Sequence, residues 1–209
     1  MDDVLNPVQL RSILTQQSLL MASAKRLVRD GLAAYTTSAV ATEAGMSQGA
    51  LYKHFPTKSL LLANSVRHLL YQLFQDFDKA MLPHWPQLAR KPLKKRVSVT
   101  IAALWKVFRS NELRAVFEVF VAARTDRTLD ELLGPILEKH RAKIHERSKW
   151  LFAELADHED GPLAVDAIVF AMQGAAIGLF GSALRDDAAN LAFFERLALR
   201  EMTLLQQTK

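Results

Sequence analysis

The chain has 209 residues, with 27 Lys and Arg against 22 Asp and Glu, a net charge of +5 and no cysteine. Half the residues are apolar and 23% are charged, the balance of a globular protein long enough to bury a real core. The missing cysteine excludes disulfides, thiolate metal sites and cysteine nucleophiles. The opening MDDVLNPVQL lacks a basic stretch followed by an apolar one, so no signal peptide is expected and a cytoplasmic protein is.

Helical spacing dominates from end to end, with Pro and Gly between the periodic segments. Asn6, Pro7 and Gln9 read as a helix start with a capping box. Leu10, Ile13, Leu14, Leu20, Met21, Ala24, Leu27 and Val28 then form one stripe that ends near Gly31. A short helix is predicted from Thr36 to Ala44, stopped by Gly45, and another from a Ser47 cap to His54 or Phe55. Pro56 and Thr57 open a long helix to about Met81, and Pro83 and Pro86 break the chain after it. Further helices read as 92–109, 111–124, 128–157, 162–184 and 187–207. Thr128 with Glu131 reads as a second capping box, and Gly134-Pro135 as a kink or a restart. The expectation is an all-α protein of about nine helices, divided into a head over 1–56 and a body over 57–209.

Charge and aromatics divide the chain unequally. Residues 1–70 hold seven bases (Arg11, Lys25, Arg26, Arg29, Lys53, Lys58, Arg67) and four acids (Asp2, Asp3, Asp30, Glu43). Ten of the eleven Phe and all three Trp come later. Within the basic head, two helices of about two turns meet at a tight turn containing Gly45, the spacing of a helix-turn-helix. Leu51 and Phe55 share one face of the second helix and would dock on the first. Gly49 and Lys53 fall opposite, flanked by Gln48, Ala50, Tyr52 and His54. Small residues there would let the backbone approach a groove, while Gln48, Tyr52 and Lys53 supply donors for bases and phosphates. The helix N-termini near Thr36 and Ser47 point amides at anions. A generic helix pair in an all-α protein is the competing reading.

The segment GLAAYTTSAVATEAGMSQGALYKHFPTKSLLL resembles the DNA-binding signature of the TetR (tetracycline repressor) family. The shared elements are a Thr-capped helix, Val40-Ala41, Ala44-Gly45, Met46-Ser47, Gly49, Leu51-Tyr52, His54-Phe55 and Lys58. The resemblance implies a homodimeric, ligand-responsive transcriptional regulator, usually a repressor, that binds a palindromic operator and is not an enzyme. By position it assigns phosphates to Thr36, Thr37 and Lys58, with Tyr52 and His54 in part, and base edges to Gln48, Gly49 and Lys53. Ser38, Ser47 and Ala50 join them as DNA-facing positions. The sequence departs from the pattern at Ala39, where the family often has an acid, and at Ser38, which is short. A helical binding protein that does not read duplex DNA is the alternative class.

Other features receive plainer readings. Gly45 to Gly49 fits G-x-S-x-G, but a hydrolase elbow needs a strand before it, so Ser47 is read as a cap. Residues 162–184 are apolar, but Asp166 and Gln173 interrupt them, so a buried helix is expected and not a membrane span. The six His show no metal spacing, and no metal or cofactor is expected. In the family the last two helices pair two copies. That role falls to Gly174, Gly178, Gly181, Leu191, Phe194 and Leu197, with intrachain packing the alternative. The family places an effector among the middle helices, where Gln72, Phe74, Phe77, Trp105, Phe108, Phe117, Phe120 and Gln173 are candidates for a mostly apolar effector or for plain core.

Overall fold

The computed structural model describes residues 6–155, 158–178 and 187–207. Among them nine α-helices appear and no strand: α1 Pro7–Asp30, α2 Thr37–Glu43, α3 Gln48–His54, α4 Lys58–Met81, α5 Leu93–Phe108, α6 Asn111–Ala123, α7 Arg127–Leu151, α8 Gly161–Ile177 and α9 Asp187–Gln207. Two 3-10 helices, Trp85–Arg90 and Ala153–Leu155, occupy the breaks after α4 and α7. The all-α expectation is met. The chain groups into two compact units, Met1–Gln72 with Arg114–Leu137, and Leu73–Leu113 with Glu138–Lys209.

In the first unit, α1 begins as its sequence requires: the Asn6 amide donates to Gln9 Oε1 at 3.1 Å. Its apolar stripe is buried only in part, at Ala24 and Leu27. Leu10, Ile13, Leu14 and Met21 are exposed, whereas Leu19, Ala22, Ala24 and Leu27 are buried. Leu27, Val40, Leu51, Phe55, Leu61 and Leu69 form the floor of this unit.

Three hydroxyls also lie in it. Ser23 on α1 bonds to the Tyr35 hydroxyl, and to Ser65 Oγ on α4 at 2.6 Å. Ser65 Oγ donates in turn to the Leu61 carbonyl at 2.8 Å. Tyr35 is 2% exposed, and burial pushes its phenol up to about 12, despite the two serine hydrogen bonds. It therefore stays neutral, as a buried donor should.

The start of α7 corrects the sequence reading. Asp126, not Thr128, is the cap: its Oδ1 accepts from the Leu129 amide at 3.0 Å. Glu131 is drawn instead to Arg127, at 2.8 Å. Asp126 Oδ2 also receives Ser59 Oγ at 3.1 Å. A carboxylate with two acceptor oxygens fills both roles at once. Pro135 lies inside α7, which continues through it without a restart.

In the second unit α5 packs on α8 and α9, and α8 packs on α9. Trp105 sets this contact, with its ring centroid 5.9 Å from Phe194 and Nε1 donating to Asp187 at 3.3 Å. The helix expected over 162–184 ends at Ile177, where Gly178 takes φ +69. Residues 179–186 lie outside the described set. No helix among the described residues is long and apolar enough to cross a membrane.

One carboxylate, Asp166 on α8, is 7% exposed and held by α7. Arg141 Nε reaches it at 2.8 Å and His145 Nε2 at 2.7 Å. Burial pushes this carboxyl up, but the Arg141 and His145 hydrogen bonds and charges outweigh it and hold it below the ordinary range. A depressed folded value means stability that is full above the unfolded value, about 3.9, and is lost as pH falls below it. The urea midpoint of the wild type should therefore drop between pH 5 and 3. Asp166→Asn should lose part of that slope. An identical slope in the variant would remove Asp166 from the acid response.

Candidate nucleic-acid interface

The interface begins where α1 stops. Gly31, at φ +72, turns the chain, and the next amide, Leu32, donates to Glu118 Oε2 of α6 at 2.6 Å. Thr36 is extended, and its Oγ1 accepts from the Ala39 amide at 3.1 Å, so it caps α2. Val40 and Ala41 are the buried face of that helix.

Gly45 closes it at φ +66. The Gly45 amide reaches the Thr42 carbonyl at 3.0 Å and the Met46 amide reaches that of Ala41 at 2.9 Å. This is a Schellman closure, which needs a left-handed residue at that place. An added Cβ on Gly45 would meet nothing within 4 Å, so the backbone angle and not space selects glycine.

Ser47 caps α3, accepting from the Ala50 amide at 3.2 Å. That bond occupies the serine of the G-x-S-x-G pattern, and a helix, α2, precedes it. Leu51 is 0% exposed and Phe55 1%, so the inward face is as expected. Gln48, Gly49, Tyr52 and Lys53 are exposed, and Ala50 and His54 half-buried. Tyr52 leans on α2, its hydroxyl 3.0 Å from Thr37 Oγ1. Thr36 and Ser38 are exposed beside it. Lys58 folds back to the Tyr35 carbonyl at 3.1 Å, with its ammonium 5.6 Å from the Tyr35 ring centroid. A Cβ on Gly49 would meet only Ser47 Oγ, at 3.9 Å, so nothing inside the chain excludes a side chain there.

Charge is sorted as well. Glu43, the one acid between Gly31 and Arg67, turns toward α1. It meets Lys25 at 2.5 Å, Arg29 at 3.1 Å and Arg26 at 4.0 Å. The Lys25 hydrogen bond above all, helped by Arg29, holds its carboxyl below the usual range against the opposing effect of burial. Asp30 is taken up by Arg26 and Arg29, at 2.7 and 2.9 Å. Lys53 has no carboxylate within ion-pair reach among the described residues. Sequence reasoning counted Glu43 only as a charge and missed this clasp. It also missed the Ser23–Tyr35–Ser65 network, whose only signal is a small polar residue on an apolar helix face.

A family model for bacterial regulatory proteins of the tetR family matches residues 19–64, from the middle of α1 into α4. An uncharacterised HTH-type transcriptional regulator of Mycobacterium bovis is 30% identical over 165 residues, 78% of this chain and 81% of its own. This chain belongs to the TetR family. As a TetR-family protein it is a transcriptional regulator with a helix-turn-helix DNA-binding domain. The fold agrees. A Mesorhizobium loti protein assigned to the TetR family has a TM-score of 0.67 at 17% identity, covering 95% of this chain and 98% of its own. The multidrug binding protein EbrR, complexed with ethidium, has a TM-score of 0.64 at 16% identity, covering 88% and 98%.

The remaining TetR-derived candidates scatter. Gln72, Phe117 and Phe120 belong to the first unit, where the two Phe meet edge to face at 5.7 Å. Phe74, Phe77, Trp105, Phe108 and Gln173 belong to the second. Of these Phe77, Trp105 and Phe108 are buried, and Phe74 and Gln173 half-buried. On the last two helices, Gly174 and Leu191 are half-buried and Leu197 is exposed. Gly181 lies outside the described residues. Phe194 requires a correction: it is 4% exposed and spent on Trp105 within its own chain. Its neighbour Phe193 faces out, with Leu163, Phe170 and Leu204.

Proposed function

We propose that the protein is a homodimeric, ligand-responsive repressor in the cytoplasm that binds a palindromic operator. The reading assigns DNA binding to residues 1–56, and pairing and ligand response to 57–209. Its work is binding and not catalysis. Gln48, Gly49 and Lys53 read base edges from the major groove. Thr36, Thr37, Tyr52, His54 and Lys58 hold phosphates, with Ser38, Ser47 and Ala50 close to the backbone. The two α3 helices then lie about 34–36 Å apart, one helical turn of DNA. The observation that carries this reading is the outward face of α3, polar and free of acids, on a helix whose other face is locked by Leu51 and Phe55.

Pairing is supported by the exposed apolar residues of the last two helices, Leu163 and Phe170 on α8 and Phe193 and Leu197 on α9. Exposed apolar area of this kind is what a second copy covers. A small effector, mostly apolar, is supported by the aromatic-rich body and by a structural neighbour described as a multidrug binding protein. Binding better to the form with the wrong head spacing, it needs a coupling of about 1–3 kcal/mol to release the operator. Helix α4 contributes residues to both units and is the natural lever.

Light scattering at micromolar concentration should give about twice the 23.5 kDa of one chain. The same protein should shift DNA flanking its own gene. Phe170→Asp with Phe193→Asp should return the mass to one chain and lose the shift, with helical circular dichroism kept. A wild type that runs as one chain would sink the palindromic reading.

A further inference from the structure

In the second unit one guanidinium is boxed by aromatic rings. Arg147 of α7 lies over Phe74 of α4 at 5.2 Å, and over Trp85 of the following 3-10 helix at 5.4 Å. Asp78, one turn beyond Phe74, receives Arg147 Nη1 at 2.8 Å and Nη2 at 3.2 Å. Trp150 closes on Trp85 edge to face, with ring centroids 4.8 Å apart, and is itself 63% exposed. Two π faces and a carboxylate around one planar cation are a recognition set for such cations in general. The box is also within reach of solvent, since the Arg147 and Asp78 side chains are 31% and 36% exposed.

We propose that Phe74, Asp78, Trp85 and Trp150 form a binding site for a planar organic cation, and that Arg147 is its resident occupant. An incoming cation takes the place of the guanidinium between Phe74 and Trp85 and pairs with Asp78. The Arg147 side chain swings out to water, where its charge is solvated. No bond is made or broken. The self-occupied state acts as an internal competitor: apparent affinity falls by the fraction of molecules whose box is free. As an effector site the box rests on the ligand-responsive reading above, whereas its ability to bind a cation does not.

The test is calorimetric titration of the full-length protein with proflavin, a planar cation, and with 9-anthracenecarboxylate, a planar anion. Proflavin should bind, the anion should not, and Trp fluorescence should fall with proflavin alone. Asp78→Asn and Trp85→Ala should each weaken proflavin binding at least tenfold. Arg147→Ala and the better-packed Arg147→Gln should each tighten it about tenfold, since both free the box. A conventional ligand contact would show the reverse. Weaker or equal binding in both Arg147 variants, or equal binding of the anion, overturns the proposal. The titration contains no DNA, so its outcome does not depend on whether the protein answers the cation by leaving an operator.

Discussion

Replacing Tyr52 and Lys53 together by alanine should abolish operator binding while leaving the fold in place. Both side chains are exposed on α3, so their loss removes no core contact. Each contributes about 1 kcal/mol or more when it meets a base edge or a phosphate. The proposed homodimer would make every contact twice, so four contacts amount to about 4 kcal/mol, or a factor of about a thousand. Affinity should be measured by fluorescence anisotropy across a salt series. The wild type should weaken steeply with salt, because released counterions drive phosphate binding, and any residual binding of the variant should show a shallower slope. The one structural cost is the bond from Tyr52 to Thr37, which ties the exposed ends of α3 and α2. The thermal midpoint should therefore move by only a few degrees. Unchanged affinity in the double variant would remove α3 from the interface.

The second large effect is on stability. Phe55 closes α3, is 1% exposed and belongs to the floor of the first unit. Its truncation to alanine should cost about 3–5 kcal/mol, from lost burial and the cavity left behind. That is a large share of a typical domain stability of about 5–15 kcal/mol. Urea unfolding should show an early transition assigned to the first unit. Operator binding should fall in parallel, although Phe55 faces away from the groove. Phe55→Leu, which fills most of the volume, should recover most of both. A loss below about 1 kcal/mol for Phe55→Ala would contradict the packing described.

The head was legible in the sequence because its signals are local. Thr36, Gly45 and Ser47 act within four residues of themselves, through caps and a left-handed turn, so the chain order alone locates them. Leu51 and Phe55 follow from one helical period. Pairs that depend on distant partners were not legible. Asp126 caps α7 because it directly precedes Arg127, but its second oxygen takes Ser59, 67 residues away, which local spacing does not report. Phe193 and Phe194 are adjacent and equally apolar, and only the position of Trp105 decides which turns in. The exposure of Leu10, Ile13, Leu14 and Met21 in the stripe of α1 was hidden for the same reason, since periodicity reports an apolar face but not whether anything covers it.

The three buried hydroxyls fix how α1 and α4 can move. Apolar side chains tolerate sliding, since one methyl contact replaces another. The bond between Ser23 and Ser65 does not, because a slip of α4 along α1 breaks it and leaves Ser65 on the Leu61 carbonyl and Ser23 on Tyr35. The segment of α4 around Ser65 is thus geared to α1 at a single tooth. In the dimer proposed above, a swing of α4 that repositions the heads on DNA carries α1 along for as long as that bond holds.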